Sequence, residues 1–170
     1  MRSFVRFTMA VALMAPISVL ISVPAGAATG AVCATQTGTA TINPGITPRA
    51  TDVTISIKET LSGCKGGGVS SGTEAATIAS KAATCNGLAR RGTKTGPYAG
   101  KITWSNKKTS TISLTTVSNG LNATVTGTVK SGLFAGQKIT TAIQYTLSQG
   151  TCNTTPLTAM SIRGTKPFVI

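Results

Sequence analysis

Histidine is absent from all 170 residues, and acidic side chains are limited to Asp52, Glu59 and Glu74. The first absence removes the commonest general base, the commonest metal ligand and the catalytic triads built on it. The scarcity of acids narrows carboxylate chemistry almost as far. Asp52 and Glu59 lie seven apart on one expected strand and so point to opposite faces, which leaves Glu74 as the one partner for a dyad. Aromatic residues make up only 4% of the chain. A core must therefore come mainly from Val, Ile, Leu and Ala. No catalytic residue, cofactor site or metal site is expected, and the chain reads as non-enzymatic.

One long apolar run occurs, at the start. MRSFVRFTMAVALMAPISVLISVPAGAATG places Arg2 and Arg6 before an apolar stretch and ends it in small residues, the pattern of a secretory signal peptide. The stretch is short for a bilayer span and carries Pro16 and Pro24. Cleavage after Ala27 would leave residues 28–170 as one secreted domain with no stable membrane span, extracellular or associated with the cell envelope.

All four cysteines, Cys33, Cys64, Cys85 and Cys152, fall beyond that leader. Their spacings of 31, 21 and 67 residues do not suit zinc, and in an oxidising compartment two disulfides are expected. Three connectivities are open. The preferred one joins Cys64 to Cys85 on successive strands and Cys33 to Cys152 across the sheet.

Alternation of apolar and polar residues dominates what remains. Ala31–Ile46 and the segment from Asp52 to Cys64 read as strands, and Lys101–Leu147 as four more. In the last of these, Ile102/Trp104, Ile112/Leu114, Ala123/Val125 with Val129, and Ile139/Ile143/Tyr145/Leu147 fall at even spacing. Thr158–Arg163 would be a late strand, with Phe168-Val169-Ile170 packed on the sheet. Thr73–Leu88 is ambiguous, because its alanines favour helix and its surroundings strand. A strand ending near Cys85 is preferred over a helix capped by Thr73, and Asn86–Gly100 becomes a basic loop. Glu59 falls on the apolar face by parity, so a bulge, a marginal position or a buried pair with a lysine must account for it. Trp104 reads as a core residue. Eight or nine short strands imply a disulfide-stapled antiparallel β-sandwich, immunoglobulin-like or related.

Charge is the other signal. Beyond Glu74 the chain carries eleven Lys and Arg and no acid, six of them between Arg90 and Lys108. Arg90, Arg91, Lys94, Lys101, Lys107 and Lys108 are thus candidate contacts for polyanions such as anionic cell-envelope or extracellular polymers.

Trp104-Ser105-Asn106-Lys107-Lys108-Thr109-Ser110, with Gly127-Thr128-Val129-Lys130-Ser131-Gly132-Leu133-Phe134-Ala135-Gly136, resembles a pattern of small secreted actinobacterial proteins. These pair a W-S-[DN]-G-x-S-T hairpin with a T-V-x-S-G-x-F-x-G turn. Here Lys107-Lys108 stands where that hairpin has glycine. The resemblance implies secretion, a sandwich and disulfides, and no activity. The expected role is binding of anionic polymers through a basic surface. A protease inhibitor or small toxin using the Lys107-Lys108 turn is the alternative, and an enzyme of unrecognised type the next.

Overall fold

The computed structural model describes residues 29–170, so the expected leader and its expected cleavage site lie outside the described residues. The strands are β1 (Val32–Ile46), β2 (Thr51–Lys65), β3 (Ser71–Ala83), β4 (Arg91–Trp104), β5 (Thr109–Asn119), β6 (Asn122–Gly132), β7 (Lys138–Gln149), β8 (Leu157–Gly164) and the short β9 (Phe168–Val169). One short helix, α1 (Cys85–Ala89), sits between β3 and β4. Among the described residues no helix is long and apolar enough to cross a membrane.

These strands do not form the expected sandwich, immunoglobulin-like or otherwise. Each of β1 to β8 pairs antiparallel with the next, and β8 returns to pair with β1 through Thr37–Thr41 against Ala159–Arg163. The result is a closed eight-stranded barrel. β9 extends the wall between β1 and β7, where Val169 meets both Val32 and Thr140. A strand that buries one face alternates in the same way whether that face meets a second sheet or the inside of its own closed sheet. Alternation predicted strands correctly and could not separate the two architectures.

Closure leaves no edge to the first and last strands and needs tight curvature, and inward glycines supply room for it. At Gly38 on β1 a Cβ would lie 2.3 Å from the Lys58 carbonyl oxygen and 2.6 Å from Glu59 Cγ. At Gly72 on β3 it would lie 2.8 Å from the Trp104 ring. That ring is held in place: it is 2% exposed, packs edge-on against Phe134 at 5.3 Å between centroids, and donates from Nε1 to Ser110 Oγ at 2.8 Å. Gly72→Ala is therefore expected to cost about 1–3 kcal/mol by overpacking, seen as a lower urea midpoint. A midpoint equal to wild type would show that the ring can yield.

The interior is layered. One end is plugged by Trp104, Phe134, Ile102 and Leu61, all buried. A polar layer crosses the middle. The far end, under α1, is lined by Ile46, Ile57, Ile78 and Met160 and is not filled.

Two local expectations also change. Thr73–Leu88 is both elements in turn, strand to Ala83 and then helix, and the cap is Thr84, whose Oγ1 accepts from the Gly87 amide at 3.0 Å. The expected basic loop from Asn86 is instead α1 followed by β4. All four cysteines are bridged, but as Cys33–Cys64 and Cys85–Cys152 rather than Cys64–Cys85 and Cys33–Cys152. Cys33 and Cys64 are direct partners in the β1–β2 register, whereas α1 carries Cys85 over to the β7–β8 connection. The β1–β2 hairpin register sets the first pairing, and the position of α1 beside the β7–β8 connection sets the second.

Candidate functional site

Barrel parity divides the charges. Glu59 and Glu74 are inside, 6% and 5% exposed, while Asp52 is outside and bonded to Lys81 at 2.7 Å. That bond lowers the Asp52 pKa and raises that of Lys81, although both side chains are largely exposed. Sixteen Lys and Arg occur in the chain, and the fourteen among the described residues, all but Arg2 and Arg6, are exposed on the outer surface. Among the described residues Asp52 is the one acidic side chain that faces water.

The six candidate cations are arranged as a line rather than a patch. Arg90 and Arg91 stand at the α1 end of β4, Lys94 and Lys101 project from its outer face, and Lys107 and Lys108 form the β4–β5 turn at the opposite end. A strand of fourteen residues spans roughly 45 Å. In the turn, the Lys107 amide donates to the Trp104 carbonyl and Lys107 has φ 66°, so the turn is compact. Lys107 and Lys108 project from it.

Toward the turn end of this line lies a cradle that sequence reading missed. Lys58 pairs with Ala75 and Ala75 with Lys101, so two outward lysines flank a methyl group across three strands, about 10 Å apart at the backbone. Thr60, Thr73 and Thr103 complete the shallow depression. Lys58 is on the polar face by parity, but only the β2–β3–β4 register sets it two strands from Lys101 with Ala75 between.

The polar layer inside is built just behind that cradle. Glu59 and Glu74 are direct partners across the β2–β3 ladder. Gln36 on β1 donates from Nε2 to Glu59, and Thr141 on β7 donates to Gln36 Oε1 at 2.9 Å, which fixes the amide orientation. Glu59 therefore accepts, and its buried partner is Gln36 rather than the lysine considered from sequence. No bulge displaces it. Glu74 Oε2 has no hydrogen-bond partner. Burial first, and then the Glu59 charge, push the Glu74 carboxyl up to about 8. Burial raises Glu59 as well, against the Gln36 hydrogen bond. Tyr98, bonded to Thr116 at 2.9 Å, is pushed up to about 12 by burial, and burial raises Tyr145 too.

The dyad was visible in the sequence in one respect. Glu59 and Glu74 are equidistant from the Gly66-Gly67 turn, as partners in a hairpin must be. The void beside them, lined by Tyr98, Tyr145 and Phe168, is about 10 Å³, the size of one water. Such a space does not admit a sugar. Among the described residues no group of three or more Cys, His, Asp or Glu is placed to hold a metal ion. Comparison with family models, curated proteins and solved structures found no match.

Proposed function

We propose that this chain is a secreted, non-enzymatic β-barrel protein that acts outside the cell or at its envelope by holding linear anionic polymers along its basic exterior. The observation that carries this reading is the sorting of charge: fourteen exposed cations face water with a single outward acid, itself tied to Lys81. Opposed surface charge would otherwise partly cancel such a field. A line of cations suits a polymer better than a compact anion, because successive phosphates or sulfates can each release counterions as they bind. Support for export comes from the leader-like start and from two disulfides, which fit an oxidising compartment. Support for a non-catalytic role comes from the enclosure of the carboxyl pair behind Tyr98 and Tyr145.

Binding to teichoic acid, heparin and DNA over a salt series tests the reading. With about four contacts, affinity is expected to fall roughly 10²-fold between 50 and 200 mM salt. Lys58→Gln with Lys101→Gln should make the salt slope shallower by about two. No binding at low salt, or binding that salt does not weaken, would overturn it.

A further inference from the structure

The barrel end under α1 encloses a chamber of about 250 Å³. Its walls differ by strand. Ile46, Ile55, Ile57, Ile78 and Met160, from β1, β2, β3 and β8, make an apolar side, while Thr93, Thr95, Thr116 and Ser118, from β4 and β5, make a side that carries hydroxyls. Tyr145 is common to this chamber and to the small void beside the carboxyl pair, and so forms its floor. The one charged residue at its margin is Lys81, already bound to Asp52.

Close-packed interiors leave few voids larger than a water, and eight strands enclose a space that side chains either fill or leave for one small ligand. Here they leave it. Ile55 shows that the space is open: it lies on the inward face between Val53 and Ile57, which are both buried, yet is itself only partly buried. A way in exists at the seam between β3 and β4. Their ladder stops at Ala76 and Gly100; beyond it, residues 77–83 pair only with β2 and 91–99 only with β5. Pro97, which has no N–H to offer a ladder, sits on that unpaired stretch. α1 stands across the seam, held by the Cys85–Cys152 bridge, and turns Gly87 and Leu88 to the chamber.

We propose that this chamber is a binding site for a small uncharged amphipathic molecule, one apolar face against the isoleucine wall and one hydroxyl or carbonyl toward the β4–β5 hydroxyls. The volume suits about ten to twelve heavy atoms, scaled from the ~150 Å³ apolar cavity that takes benzene. A charged ligand would lose its hydration and meet no free counter-charge, since Lys81 is engaged and the carboxyl pair lies behind Tyr145. This site is independent of the basic exterior, and salt separates the two.

2-Naphthol, neutral and hydroxyl-bearing, is the probe. The expected result is saturable one-to-one quenching or enhancement of its fluorescence, unchanged between about 50 and 500 mM NaCl, with amide shifts in labelled protein confined to the chamber strands and α1. Ile78→Trp, which fills the space, should weaken binding at least tenfold. Thr95→Val with Ser118→Ala should weaken 2-naphthol roughly three- to tenfold and leave naphthalene unaffected. Absence of saturation by about 1 mM 2-naphthol, shifts located elsewhere, or undiminished binding by an Ile78→Trp protein with wild-type near-ultraviolet circular dichroism would overturn the proposal. Should Ile78→Trp not fold, Leu88→Trp on the partly exposed α1 fills the same space from the other side, and wild-type affinity in that variant overturns it equally.

Discussion

Replacing all four cysteines by alanine is expected to remove about 8 kcal/mol of stability, enough to leave the chain largely unfolded in water. The bridges close loops with sequence separations of 31 and 67 residues, and constraining the unfolded chain over such lengths is worth about 4 kcal/mol each in the chain-entropy account. A domain of this size has only about 5–15 kcal/mol in total. The two bridges should differ in what they protect. Cys33 and Cys64 join strands whose ladder already runs from Val32–Lys65 to Asn43–Thr54. Cys85–Cys152 instead holds a helix of five residues that no ladder secures. Cys33→Ala with Cys64→Ala should thus lower the urea midpoint and leave hydrogen exchange in α1 unaltered relative to the barrel. Cys85→Ala with Cys152→Ala should lower the midpoint and also release residues 84–90 to exchange below the global unfolding energy. A wild-type midpoint in either pair would refute the assignment.

Raising the pH from 5 to 9 should cost the protein about 4 kcal/mol, and Glu74→Gln should remove most of that loss. The Glu74 carboxyl goes from an ordinary 4.5 to about 8 through burial and the Glu59 charge. A raised carboxyl pKa means that the folded state holds the proton where the unfolded chain has lost it. The stability is complete below 4.5, declines as pH climbs from there to 8, and is flat beyond. Glutamine keeps the shape and cannot ionise, so the variant should be flatter in pH and more stable than wild type at pH 9. The slope that survives belongs to Glu59, which burial also raises. Tyr98 and Tyr145 face the same layer from β4 and β7, but both are shifted upward from 10 and add nothing below that. Urea unfolding at pH 5, 7 and 9 measures this, and parallel pH curves for the two proteins would sink the idea.

Much of the site was half legible. Parity put Glu59 on the apolar face, and hairpin symmetry about Gly66-Gly67 would have set Glu74 opposite it. The segment was preferred as a strand, but the alanines of Thr73-Glu74-Ala75-Ala76 suit the outer and inner faces of a curved strand equally well and so gave Glu74 no face. Gln36 and Thr141, 105 residues apart, were beyond reach, since no local rule joins β1 to β7. Lys58 and Lys101 were separate exposed lysines until the register placed Ala75 between them.

By itself the sequence determined an all-β chain, which residues face inward on most strands, a tryptophan in the core and a surface dominated by positive charge, because period-two alternation and charge are local properties. Tertiary structure alone decided barrel over sandwich, the disulfide partners, the linear order of the cations and the unfilled chamber under α1. The barrel and its chamber depend on the long-range pairing of β8 with β1, and the bridges and the line of cations on which strands become neighbours and in what register, none of which local pattern encodes.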